Sequence, residues 1–448
     1  MVLSRSKFHF IGIGGIGMSG LAELLHNMGA TISGSDASEN DQVTKLKGLG
    51  VQVYKGHAKE HVGDVDAVVY SSAIPSTNPE LIEAKAKKIP IISRAEVLSE
   101  VMRLKRSIAV AGSHGKTTTT SMTASIFITA QVDPTVVVGG RLDLIKSNAF
   151  LGKGEWLIAE ADESDGSFQR LSPEISIITN IDDDHMDHYK NFDNLQKAFR
   201  DFAHLTPFYG FCVVMGDDVR TRKLFENFDK RIIFYGFHES NDFYLVKNVT
   251  KDLISYTIHH EENALGTFSM KVPGEHNALN ALAAFIVGYK CGIPAAKCIE
   301  GLEAFQGVDR RFQKLGEKNG VEIYDDYGHH PTEIKAVLKA FREKYPNSKL
   351  KVAFQPHRYS RTQTCWSEFL KSFEDCDELY LVDIYAASEA PIEGITSLKL
   401  SEEIKHPHCE YIGSVDNVLE KMLKAKPGEV FVTLGAGDIF KQGRKFLA

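Results

Sequence analysis

The chain has 448 residues, enough for three domains of ordinary size, and its 43% hydrophobic and 25% charged residues are usual for a globular protein. A net charge of −7 without any Lys/Arg-dense face argues against nucleic-acid or anionic-membrane binding, and no run approaches the ~18–20 apolar residues of a membrane span. Six cysteines without a C-x-x-C pair, and a first segment that runs into a strand without an apolar signal region, lead us to expect free thiols and a cytoplasmic protein.

Phe8-His9-Phe10-Ile11 reads as a strand. Gly12-Ile13-Gly14-Gly15-Ile16-Gly17 follows at G-x-G-x-x-G spacing and opens a helix over about residues 18–28. A second strand, 31–33, ends near Asp36, where a carboxylate can hold a ribose hydroxyl while the glycine turn holds a pyrophosphate. The spacing suits NAD, and it suits a nucleotide sugar equally well. Strands at 51–54, 67–70 and 90–92 and helices at 79–87 and 94–104 continue the α/β alternation, with Ser71 and Ser72 at a strand end.

A domain boundary is expected near the basic stretch 103–106. Ile108-Ala109-Val110-Ala111 then reads as a buried strand, Gly112-Ser113-His114-Gly115-Lys116-Thr117-Thr118 as a turn, and 122–128 as a helix. This is a phosphate-binding loop: backbone amides cradle a polyphosphate, Lys116 reaches its β/γ oxygens and a Thr hydroxyl meets the metal. It is a variant, because Val110 stands where the common pattern has its first glycine and Gly112 replaces it closer in. Two further strands end in titratable runs, 156–159 in Glu160-Ala161-Asp162-Glu163-Ser164-Asp165 and 175–179 in Asn180 to His188. Dense oxygen donors at the edge of the phosphate loop suit Mg²⁺–ATP, since Mg²⁺ prefers oxygen ligands shared with phosphates.

Residues 211–268 are β-rich and polar, and a small-residue helix begins near 274, with Asn277 placed to cap it or to read a base edge. A hinge is expected at 305–312, where Arg310 and Arg311 could clamp phosphates. The last segment is again α/β, with strands at 321–325, 351–354, 378–383 and 429–434 and a helix from Pro331 to about residue 345. Asp326, His329, His330, His357 and Arg361 gather at strand C-terminal ends, where open parallel sheets bind ligands. The expected fold is therefore α/β throughout: a Rossmann-like domain over 1–106, a central P-loop ATPase-type domain over 107–308, and a Rossmann-like domain over 309–448 that closes the active site.

Joining a carboxylate to an amine is uphill in water, and ATP overcomes this by turning the carboxylate into an acyl phosphate. A lysine, metal ligands and a closing domain are what that chemistry requires. The loop 111–119 resembles that of the Mur ligases, which build the peptide of bacterial peptidoglycan. Within this family the stretches 160–165, 180–188, 325–333 and 357–362, with the turn 12–20, are similar to those of the member that joins L-alanine to UDP-N-acetylmuramic acid. The resemblance covers essentially the whole chain. It implies that Gly14, Gly15, Ile16 and Gly17 meet the pyrophosphate, with Asp36 and Ser72 nearby. It implies ATP and Mg²⁺ as cofactors, with Thr117, Glu160 and His185 as metal ligands and Gly112 to Thr118, Asn277, Arg310 and Asp326 around the nucleotide. Lys116, Glu160, His185, Arg310, Arg311 and His330 form the implied catalytic set, and His329, His357 and Arg361 face the muramyl carboxylate or the amino acid. Several family members use a carbamylated lysine, but Phe199 stands near that position, and the nearby Lys197 reads as a surface lysine. The protein is expected to be a monomer or homodimer. An NAD-dependent oxidoreductase explains only the first hundred residues or so, a nucleotide-sugar sensor has no need of Lys116, Glu160 and His185 together, and the ligase that recycles a ready-made tripeptide differs in its glycine turn and acidic loop.

Overall fold

Near-continuous apolar runs such as FHFI, IAVA and ISII form strands covered on both faces, which is the pattern of parallel sheets flanked by helices. The computed structural model describes residues 3–71, 73–142, 147–250 and 253–448. It forms two units, Met1–Met270 with Leu279–Gln306, and Lys271–Ala278 with Gly307–Ala448.

The first unit contains two sheets. One is all parallel, β1 (Lys7–Ile11), β2 (Thr31–Asp36), β3 (Gln52–Lys55), β4 (Ala67–Tyr70) and β5 (Ile91–Ser93), in the order β3-β2-β1-β4-β5. The order reverses beside β1, so the crevice beyond its C-terminal end is the natural ligand position. The other has ten strands: β6 (Arg106–Ala111), β7 (Thr135–Leu142), β8 (Ser147–Phe150), β9 (Trp156–Glu160), β10 (Ile175–Ile178), β11 (Phe211–Met215), β12 (Ile232–Gly236), β13 (Phe243–Val249), β14 (Ile254–His260) and β15 (Asn263–Ser269). Their order is β15-β14-β13-β12-β11-β10-β6-β9-β7-β8. β6 is thus flanked by parallel β9 and β10, which delivers the phosphate loop and both titratable runs to one edge.

The helix Lys116–Thr129 begins six residues before the expected start at Met122. Its first turns are threonines, poor helix formers that apolar periodicity does not count. Their hydroxyls bond back along the helix, Thr120 Oγ1 to Lys116 O at 2.9 Å and Thr123 Oγ1 to Thr119 O at 2.8 Å. Both hydroxyls are thereby satisfied in the interior. The helix packs closely on Ala295–Ala304, where Ser125 Oγ donates to Gly301 O at 2.6 Å and a Cβ on Gly301 would lie 2.5 Å from Ile126 Cα. Likewise, the helix Ile16–Asn27 starts two residues early, so Ile16 and Gly17 form its first turn.

The second unit carries β16 (Gln313–Lys318), β17 (Val321–Asp326), β18 (Leu350–Phe354), β19 (Glu378–Val382), β20 (Cys409–Gly413) and β21 (Val430–Leu434), ordered β16-β17-β21-β18-β19-β20 with only β16 antiparallel. Pro331 opens the helix Pro331–Lys344, and His330 with Glu333 forms its capping box.

Candidate active site

Gly112 has φ +138°, and a Cβ there would lie 1.9 Å from Thr179 Oγ1; Gly115 has φ +84° and a Cβ would meet Asn280 Oδ1 at 2.6 Å. Only glycine fits either position without movement. The loop is laced to the end of β10: Ser113 N donates to Asn180 O (3.1 Å), His114 N to Asn180 Oδ1 (2.9 Å), and Thr179 Oγ1 and Asn180 Nδ2 to His114 O (2.6 and 2.9 Å). Asp182 N donates to Ser113 Oγ, and Asp182 Oδ2 lies 3.0 Å from His114 Nε2. Gly115 caps the helix without a side-chain bond, so the first-turn amides of Lys116, Thr117 and Thr118 have no side-chain acceptor from their cap. Oriented amides at a helix N-terminus bind anions.

Lys116 Nζ donates to Gly112 O (2.7 Å), Ser113 O (3.2 Å) and Glu163 Oε1 (2.7 Å). Burial pushes its pKa down, but the Glu163, Glu160 and Asp162 carboxylates outweigh burial and hold it above the ordinary lysine value. Glu160 Oε2 accepts from Thr117 Oγ1 (3.0 Å) and Gly139 N (2.7 Å), and burial raises its pKa against the pull of Lys116. His185 has φ +57°, which places Nε2 3.5 Å from Glu163 Oε1. Burial lowers the His185 pKa, but Glu163 and Asp184 more than reverse this.

Glu163 is therefore the centre of this cluster, touching both Lys116 and His185. Its side chain is 0% exposed, and among the described residues Oε2 has no hydrogen-bond partner. A buried, unpartnered carboxylate oxygen is costly unless something else neutralises it. Together with the Thr117 hydroxyl and Glu160, it makes an oxygen-rich donor set that fits Mg²⁺. Glu163 is missing from the sequence-derived site because four carboxylates in six residues look alike until burial separates them.

At the first sheet, Gly12 N and Ile13 N donate to Ser35 O (2.8 and 3.0 Å), and Gly14 N donates to Asp36 Oδ2 (2.8 Å). Asp36 thus braces the glycine turn through Gly14. Gly15 is the N-cap of Ile16–Asn27. Asn148, unnoticed in the sequence, donates to Ile16 O and fixes this helix start against β8. Ser72 lies outside the described residues.

In the second unit, Arg310 Nε donates to Asp325 Oδ2 (2.9 Å) and its Nη2 to Gly435 O (2.6 Å), so this guanidinium ties β17 to the loop after β21. Arg311 Nη1 is 3.6 Å from Glu333 Oε1. Asp326 accepts from Phe312 N (2.6 Å) and Gly328 N (2.7 Å), and burial pushes its pKa up to about 6 despite Arg311. His330 is a helix cap, accepting from Thr332 N at 3.4 Å. His329, His357 and Tyr385 form a ring cluster, with His329–His357 centroids 5.7 Å apart and His357 stacked on Tyr385 at 5.5 Å. Arg361 Nη1 is 3.4 Å from His357 Nδ1, and burial, then Arg361 and Arg358, lower the His357 pKa to about 4. Asn277 Nδ2 donates to Pro273 O at 2.7 Å; this residue lies inside the first turn of Glu275–Lys290 and is not its cap.

Three family models match in sequence along the chain: the Mur ligase family catalytic domain over 7–106, the Mur ligase middle domain over 110–288, and the Mur ligase glutamate ligase domain over 310–437. A UDP-N-acetylmuramate–L-alanine ligase of Bdellovibrio bacteriovorus is 60% identical, covering 100% of this chain and 99% of the relative. The enzyme of that name from Geobacter sulfurreducens is 46% identical over 99% of this chain and 97% of its own. Among solved structures, the UDP-N-acetylmuramate–alanine ligase of Thermotoga maritima superposes with a TM-score of 0.85 at 29% identity, covering 99% of this chain and 98% of that one. The murein peptide ligase of Psychrobacter arcticus shares the fold with a TM-score of 0.73 at 24% identity. The matched models follow one another across all three sheets and take in the phosphate loop with its acidic neighbours, and on these grounds the chain belongs to the Mur ligase family.

Proposed function

We propose that this protein joins L-alanine to the carboxylate of UDP-N-acetylmuramic acid, with ATP converted to ADP and phosphate, in the assembly of peptidoglycan precursors. The observation that carries this reading is the meeting of Lys116, Thr117, Glu160 and Glu163 beside the phosphate loop, in a chain 60% identical over its length to a relative of that name. Nucleotide sugar and nucleotide triphosphate would each lie at the C-terminal ends of parallel strands in the first unit.

The loop amides and Lys116 would bind the ATP phosphates, with Lys116 exchanging Glu163 and the loop carbonyls for phosphate oxygens. Its ammonium then offsets charge as the muramyl carboxylate attacks the γ-phosphorus and ADP departs. Attack by the neutral amine of L-alanine on the acyl phosphate expels phosphate and releases a proton. Thr117, Glu160, Glu163 and His185 are the residues that would hold Mg²⁺. When bound, Mg²⁺ neutralises the polyphosphate and orients it. In the second unit, the Arg361 guanidinium suits the carboxylate of the amino acid, and His357, kept neutral by burial, suits a hydrogen bond with its amine. Within the second unit, Arg310 positions the loops through Asp325 and Gly435. The protein would act in the cytoplasm as a monomer or homodimer.

The test is the product's mass. UDP-N-acetylmuramic acid should become heavier by one alanyl residue, and a mass unchanged after incubation with Mg–ATP and L-alanine would contradict the reading.

A further inference from the structure

Arg94 opens the helix Arg94–Met102, whose first turn is fixed by the capping box of Ser93 and Glu96. Its guanidinium lies against the first turn of Ile16–Asn27: a Cβ on Gly17 would meet Nη1 at 2.6 Å and Cζ at 3.3 Å. Gly17 thus makes room for a cation beside the turn, whose Gly15 cap gives the helix-start amides no side-chain acceptor. The same guanidinium reaches Asp162 Oδ2 through Nη2 at 3.2 Å, with the two side chains 25% and 41% exposed. Asp162 precedes Glu163, the partner of Lys116.

We propose that Arg94 is an anion-binding residue of the glycine turn, gripping the diphosphate of the sugar nucleotide, and that Asp162 is the partner it gives up on doing so. This rests on the reading that a nucleotide sugar occupies that turn. The physical reason is charge. A diphosphate at a helix start gains from amides and dipole alone, yet a partly exposed guanidinium at the same turn offers a forked, charge-assisted contact that uncharged amides lack. In the pair with Asp162, Arg94 is held at the turn by a surface-type bond that a more highly charged diphosphate can replace. Release of Asp162 changes the charge balance next to Glu163, the partner of Lys116. Filling the sugar-nucleotide turn would then be felt at the phosphate loop.

The experiment measures binding of uridine, UDP and UDP-N-acetylmuramic acid by calorimetry to the wild-type chain and to Arg94→Gln, Arg94→Lys and Asp162→Asn. Arg94→Gln should weaken UDP and the sugar nucleotide by about tenfold to a hundredfold and leave uridine within twofold, with partial recovery in Arg94→Lys. Asp162→Asn should tighten UDP by threefold or more. Equal losses for uridine and UDP in Arg94→Gln would make Arg94 a brace of the turn and overturn the proposal, as would a UDP affinity in Arg94→Gln equal to that of a wild type that binds UDP. A wild type that binds none of the three overturns the nucleotide-sugar reading itself, and this inference falls with it.

Discussion

Lys116 and Glu163 form a 2.7 Å ion pair in which the carboxylate is completely buried and its second oxygen has no hydrogen-bond partner among the described residues. A lysine so placed is held charged and close to the loop carbonyls, and on the proposed function it trades these partners for phosphate. Lys116→Ala should abolish measurable turnover. Glu163→Gln keeps the shape but not the charge and should lower kcat by about 10²–10³-fold. Stopped phosphate-release assays at saturating ATP read both.

Glu80 predicts a pH effect of known sign. It is 0% exposed and accepts from Ser35 Oγ (2.6 Å), with His57 Nδ1 at 3.0 Å and His61 Nδ1 at 2.9 Å. Burial raises its pKa, but the bonds from His9, Ser35, His57 and His61 overcome this and depress it to about 2 from 4.5. Because the folded value is the lower one, the stabilisation is present above about pH 4.5 and is lost as the pH falls towards 2. Glu80→Gln should cost about 3–5 kcal/mol at pH 6, and the gap to wild type should shrink in denaturant titrations at pH 3. A gap that grows on acidification contradicts the assignment.

Gly112→Ala places a methyl 1.9 Å from Thr179 Oγ1 at a φ of +138°. The substitution should destabilise by about 2 kcal/mol or more and weaken ATP binding. Adding Thr179→Ala should recover only part of the loss, since Thr179 N is also within 3.0 Å. Thermal melts and nucleotide titrations of the single and double variants would show this.

Lys197 is 74% exposed and pairs with Asp201, one turn on, while Phe199 is fully buried against Phe168. Lys197→Ala should therefore leave stability within about 0.5 kcal/mol and the rate within twofold, with no dependence on added bicarbonate. A large, bicarbonate-sensitive loss would reinstate a carbamylated lysine here.

What could be read from sequence follows from what leaves a local mark. Parallel strands such as β6, β9 and β10 are buried on both faces and announce themselves as unbroken apolar runs. The glycines of both turns mark backbone positions that a side chain would fill. The start of Lys116–Thr129 was hidden because its threonines satisfy themselves through back-bonds, which periodicity does not see. β7, broken by Gly139 and Gly140, and the short β8 and β20 carry too little apolar pattern to be read. At the site, Lys116 and Glu160 were legible from motif and strand end. Glu163, Arg94 and Asn148 were not, since each gains its role from a partner 47, 68 or 132 residues away.

The central claim is tested most directly by phosphate release from Mg–ATP with UDP-N-acetylmuramic acid, in the presence and absence of L-alanine. Release that needs both substrates, and that disappears in Lys116→Ala, is the predicted result. Release with a tripeptide but not with L-alanine, or none with either, would contradict it.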